Sequence, residues 1–214
     1  MSKHCALVLA FVAGFVDTAT FVQFAGLFSS HVTGNFVVFA AALGRGVGDA
    51  DWLKLIAFPV FVCGVILAVI AHDKLNCAPR LLLALEAAAL LMIGLIAVSG
   101  QWPFRTRASL AMALVAAMGW QNAGHRLYPP FGPLSGAMTS NTTQAMIAVW
   151  RHVFPAPASF PEVTGLSLLR IIASFAAGCA ISVLIVHAIG LGAVIVPALV
   201  LALLAVLFEA KQDA

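Results

Sequence analysis

Charge is what this chain has least of. Only 9% of its 214 residues are Asp, Glu, Lys or Arg, against roughly 25% in an average globular chain. Eleven Lys and Arg, eight Asp and Glu and six His cannot solvate the surface of a 22.3 kDa protein in water. With 63% apolar residues and a mean hydropathy of +1.07, most of that surface belongs in lipid. A soluble fold is excluded. The net charge of +3 comes without any Lys/Arg cluster, so no stripe for phosphates exists and nucleic acid is excluded as a partner. Four cysteines (Cys5, Cys63, Cys77, Cys179) form no C-x-x-C pair and no metal-like spacing, which removes a disulfide framework and a zinc site. H-E-x-x-H, G-x-S-x-G, a Walker loop and a paired-carboxylate signature are all missing. Neither an enzyme nor a cofactor is expected.

What the chain does have is long apolar runs. A membrane span takes about 20 apolar residues, because a helix rises 1.5 Å per residue through roughly 30 Å of hydrocarbon. Cys5 to Phe28, Leu55 to Ala71, Leu81 to Val98 and Ala108 to His125 each predict a span. Ile171 to Phe208 is long enough for two, divided near Gly190 and Gly192. Two shorter segments open on polar residues: Val32 to Leu43 and Ala137 to Trp150. They either cross as short helices or enter and leave on one face. Irregular backbone at membrane depth survives only inside protein or beside water, so both readings put these segments within the bundle. With a cytoplasmic N-terminus and eight crossings, Lys3, Arg45, Lys54, Arg105, Arg107, Arg151, Arg170 and Lys211 fall inside, leaving Lys74, Arg80 and Arg126 outside. Positive-inside counting therefore favours eight crossings over six spans with two re-entrant segments.

The chain also repeats itself. Gly14-Phe15-Val16-Asp17 is followed by Thr33-Gly34-Asn35, and Gly119-Trp120-Gln121-Asn122 by Thr139-Ser140-Asn141. Each pair leads to a basic residue (Arg45, Arg151) and then to a helix carrying Phe61-x-x-Gly64 or Phe175-x-x-Gly178. The pattern predicts an all-α membrane bundle of two homologous halves, 1–104 and 105–214. Four crossings per half would give the copies one orientation, and three would invert them. Transporters are commonly assembled from either kind of repeat, with binding sites at the repeat interface.

These same residues, Gly14-Phe15-Val16-Asp17, the Phe28–Asn35 stretch and Gly119-Trp120-Gln121-Asn122-Ala123, resemble the YoaK-like family, family 1275 among domains of unknown function. The resemblance covers essentially the whole chain. It implies a small multi-pass protein of the bacterial inner membrane and supplies no catalytic or binding residue. One departure is Ser140, which stands where the first copy has Gly34.

A few polar residues remain as candidates for function. Asp17 lies within the first span, where a carboxylate costs about 2.5–3.5 kcal/mol on insertion scales and is functional by default. Its counterpart Asn122 keeps the hydrogen bonds but cannot titrate. Thr33, Gly34, Asn35, Thr139, Ser140 and Asn141 open the short segments, where half-helix N-termini would offer unpaired N–H groups to a solute. His31 and His125 are candidates for a proton relay. Glu86 either pairs with Arg80 or with a basic residue on another helix, or is a neutral, hydrogen-bonded carboxyl. The Ser174-x-x-x-Gly178-x-x-x-Ser182 stripe reads as helix packing. Taken together, the residues predict a secondary transporter or channel for a small solute or ion, embedded in the lipid bilayer, with a homo-oligomer compatible. The rival is a membrane scaffold or regulatory protein in which the same residues only tie helices together.

Overall fold

A computed structural model of the chain describes residues 2–153 and 165–209. Among the described residues there are eight α-helices: α1 (Ser2–Gln23), α2 (Gly34–Leu43), α3 (Asp49–Leu75), α4 (Pro79–Val98), α5 (Phe104–Leu127), α6 (Met138–Val153), α7 (Gly165–Ile189) and α8 (Ile195–Glu209). Short 3-10 turns at Pro129–Phe131 and Gly190–Val194 complete the set. Four stretches are long and apolar enough to cross a membrane: His4–Gln23, Asp49–Leu75, Pro79–Val98 and Gly165–Phe208. The last holds both α7 and α8. Helix α5 matches them in length, while Gln121, Asn122 and His125 make it more polar.

Each helix follows its apolar run except at one boundary. The first run continues to Phe28, but α1 stops at Gln23. Ala25 (φ 48°) and Gly26 (φ 92°) adopt left-handed backbone there, and the chain reverses. Side chains this apolar suit a lipid-facing helix and a buried turn equally, so hydropathy carried no sign of the reversal. Gly132 (φ 75°) marks a second reversal after α5. Glycine meets no steric penalty at such angles.

Close backbone contacts fix how the helices run. On α7, Ser174 and Ser182 donate to the Leu7 and Phe15 carbonyls of α1 at 2.8 Å each, with Gly178 against the Phe11 carbonyl between them. This is the small-residue stripe read from the sequence, and its even register makes α1 and α7 parallel. Hydrogen bonds of this kind are worth about 0.6 kcal/mol each in membranes, so backbone packing carries most of the contact. Gly14 sits on the Phe175 carbonyl, and a Cβ at that position would strike it. The same device joins α3 to α5: Gly119 lies on the Phe61 carbonyl and Gly64 on the Ala116 carbonyl.

Helices α1 and α5 run in opposite directions. Gln121 donates to the Leu9 carbonyl at 3.0 Å, while Arg107 donates to Gln23 at 3.0 Å. Helices α4 and α8 are also antiparallel, since Gly94 meets Ile195 and Gly192 meets Val98. Ring pairs Phe36–Phe58 and Phe39–Trp52 set α2 antiparallel to α3, and therefore parallel to α1. These directions correct the expectation of eight alternating crossings, which requires α1 and α5 to point the same way. The physical reason is the reversal at Ala25–Gly26: it sends the chain back into the bundle, and α2, of ten residues, rises only about 15 Å. Lys211, counted in that charge balance, lies outside the described residues.

Candidate functional site

The reversal after α1 folds residues 24–33 back alongside the helix, and Asp17 holds it there. Its Oδ1 accepts from the Ser29 and Ser30 backbone N–H groups at 2.7 and 2.6 Å and from the Ser29 hydroxyl at 3.0 Å. Its Oδ2 forms an ion pair with His31 Nδ1. Asp17 is 4% exposed, so this set of donors replaces the water the carboxylate lost. The His31 ring stands edge-on to Phe28 and Phe175, with centroids 6.3 and 5.5 Å away.

Asn35 closes the same loop from the other side. Its amide accepts from the Phe28 N–H and donates to the Phe28 carbonyl, both at 2.8 Å. Thr33 makes no cap bond, because its own backbone is already helical. The first N–H groups of α2 are not open either: those of Gly34, Asn35 and Phe36 bond to the His31, Val32 and Thr33 carbonyls. The expectation of a half-helix terminus offering unpaired donors to a solute is thereby corrected. A tight turn ahead of the helix has already used them.

The second reversal uses the same frame with other side chains. Asn141 donates to the Leu134 carbonyl at 2.9 Å, the same seven-residue reach that Asn35 makes to Phe28. Ser135 stands in the place of Ser29. Gln121 Nε2 donates to Ser135 Oγ at 2.8 Å, and Ser135 Oγ lies 3.0 Å from His125 Nε2. His125 Nδ1 lies 3.1 Å from the Gly132 carbonyl, which accepts only if Nδ1 carries the proton. Both ring nitrogens are thus in use. The two loops then meet. Gly136 lies against Ser30 and the Asn122 amide, so a Cβ there would stand 3.2 Å from Ser30 Oγ and 2.8 Å from Asn122 Nδ2.

A cavity of about 530 Å³ opens beside the first loop. Asp17, Thr18, His31, Thr33 and Gly34 supply its polar and backbone surface, and Phe21, Phe28, Phe175 and Cys179 the rest. Of the residues singled out from sequence, Asp17, His31, Thr33 and Gly34 come together here. Asn35 and Asn141 are buried clamps, Asn122 lies at the loop contact, and Thr139 and Ser140 lie on the outer face of α6. Phe175, Cys179 and Gly136 were not anticipated. A signal for the loops did exist: Gly26 and Gly132 each stand nine residues ahead of the clamp asparagines. Phe175 was marked only as part of the repeated Phe-x-x-Gly motif and Cys179 not at all, and both arrive from a distant helix.

An α-helical membrane protein is what this architecture defines, with two chain reversals that meet at Gly136 and Ser30. The chain belongs to the family described as "Protein of unknown function (DUF1275)", which matches residues 5–207. It is also similar to UPF0700 transmembrane protein YoaK of Bacillus subtilis (strain 168), at 31% identity over 67 residues. That stretch covers 31% of this chain and 30% of the relative, so the likeness spans under a third of either protein. No solved structure matches the chain.

Proposed function

We propose that the protein is a secondary transporter or channel for a small solute or ion, with its site where the two re-entrant loops meet. The observation that carries this reading is the Asp17–His31 pair: an ionisable couple that joins α1 to the first loop and lines a cavity. Residues 1–104 and 105–214 are read as two copies of one unit. The paired contacts Gly14–Phe175 with Gly119–Phe61, and Asn35–Phe28 with Asn141–Leu134, support that reading. The opposed directions of α1 and α5 favour an inverted pair with three crossings each, α2 and α6 re-entering. On that path Lys3, Lys74, Arg80, Arg126, Arg151 and Arg170 fall toward the end where α1 starts. Arg45, Lys54, Arg105 and Arg107 fall toward the other. That bias supports a cytoplasmic N-terminus in a bacterial inner membrane. Transporter sites commonly form at such repeat interfaces from interrupted helices.

A second reading has its own observation. The hydrogen bonds to the Asp17 carboxylate come from Ser29, Ser30 and His31 of the adjoining loop, as they would in a scaffold that moves nothing. Cys179 lines the cavity and separates the two. With Cys5, Cys63 and Cys77 replaced, a small charged thiol reagent should label Cys179 from one side of the membrane, and liposomes should show a proton flux that Asp17→Asn abolishes. An unlabelled Cys179 together with equal flux from both proteins would sink the transport reading.

A further inference from the structure

The end of the bundle where α1 stops holds another cavity, of about 470 Å³. It lies among the last turns of α1, α4 and α7 and the first turns of α5, and it shares no lining residue with the Asp17 cavity. Gln23, Gln101 and Arg107 give it a largely polar wall, unlike the aromatic wall beside Asp17. Arg107 is its one ionisable group.

Arg107 is half-buried, and among the described residues no carboxylate pairs with it. Its guanidinium donates to Gln23 Oε1 at 3.0 Å and stands 5.7 Å from the centre of the Phe24 ring. Those two contacts fix the head at the cavity wall and leave most of its N–H donors unspent. The Gln23 amide N–H groups and the Gly100 and Gln101 backbone N–H groups also find no acceptor among the described residues. The Leu95 and Ile96 carbonyls at the end of α4 are already taken, by Ser99 and by the Trp102 indole N–H. An unneutralised guanidinium among spare N–H donors is the chemistry that receives an oxyanion.

Depth narrows the choice of oxyanion. Trp102 and Ile189 line the cavity and are 39% and 48% exposed. Tryptophan gathers where headgroups meet hydrocarbon, and the anions at that level are lipid phosphates. We propose that this end cavity binds a phosphate group, carried by a membrane lipid or by a soluble ester, with its oxygens on the Arg107 guanidinium and the Gln23 amide. The planar fork of arginine matches two phosphate oxygens at once. The exposed side chains of Ile189 and Val98 beside it give a lipid's acyl chain an apolar surface to follow. The site does not depend on the transport reading.

Native mass spectrometry of the purified full chain in detergent, titrated with dioleoyl phosphatidylglycerol, tests this. The wild type should take up one lipid saturably, and Arg107→Gln should bind it about tenfold more weakly or worse. Gly100→Glu sets a negative charge at the cavity wall, where an added Cβ meets no atom within 4 Å, and should weaken binding to a similar degree. Arg105 is exposed on the same turn of α5 and does not line the cavity, so Arg105→Gln should bind as the wild type does. Wild-type melting temperatures certify that the variants fold. Calorimetry with glycerol 1-phosphate forms the second arm. Binding as tight as the lipid's assigns the site to a soluble ester, and weaker or absent binding assigns it to the lipid. Saturation in neither arm, either folded cavity variant within about twofold of wild type, or an equal loss in Arg105→Gln would overturn the proposal.

Discussion

The two reversing loops share a backbone and differ in their chemistry. Each reverses through a left-handed glycine, Gly26 or Gly132, and each is closed by an asparagine that reaches back to a carbonyl seven residues earlier. In the first loop a carboxylate gathers Ser29, Ser30 and His31. In the second, Gln121 and His125 hold Ser135 with no carboxylate among the contacts. The second loop shows that this turn can be seated without a carboxylate. A buried carboxylate beside a part-exposed histidine in the first therefore does more than the turn requires, and that surplus is the physical ground for the proposal made of it.

Removing the central group of each loop breaks the comparison most sharply. Asp17→Ala strips the acceptor from two buried N–H groups and a histidine, and should cost about 3–5 kcal/mol. Ser135→Ala removes a neutral link and should cost about 1–2 kcal/mol. Thermal unfolding in detergent measures both. Equal losses would mean that the charge adds nothing beyond what the hydroxyl supplies in the other loop. The clamps come next. Asn35 makes two hydrogen bonds to Phe28, and Asn141 makes one to Leu134. Asn35→Ala should cost about 2 kcal/mol and Asn141→Ala about 1 kcal/mol. A larger effect at Asn141 would reverse the ranking of the two loops.

Much of the helix set could be read from the chain because apolar runs and turns are local. The stripe of Ser174, Gly178 and Ser182 was legible for the same reason: spacing of four residues fixes one helix face. Direction was not legible. Whether a short apolar segment crosses or returns depends on two backbone angles at Ala25 and Gly26, and no hydropathy sum contains them. Asp17 was visible as an acid among apolar residues, and His31 beside the Thr-Gly-Asn motif. Their pairing depends on the reversal, as do the bonds that Asn35 and Asn141 make to the backbone. Those bonds are a fact of geometry that residue type alone could not convey. Glu86 was visible too, but that its buried carboxyl lacks a hydrogen-bond partner appears only when α3, α4 and α5 are in place.

The smallest expected effect separates the polar residues that open α2 from those that open α6. Thr33 lines the cavity beside Asp17 and His31, whereas Thr139 and Ser140 lie exposed on α6, where Ser140 accepts from Gln144 at 3.0 Å. None of the three supports a buried network. Each alanine variant should stay within about 0.5 kcal/mol of wild type in unfolding. Stability alone therefore cannot rank them, and access can. With single cysteines placed at the three positions, the position at Thr33 should be protected from a charged thiol reagent by a solute that occupies the cavity. Those at Thr139 and Ser140 should react at the same rate with and without it. Protection at Thr139 would bring the second loop into the site and make the two halves equal partners in it. Protection at Thr33 alone would leave the ionisable loop as the binding half and the neutral loop as its frame.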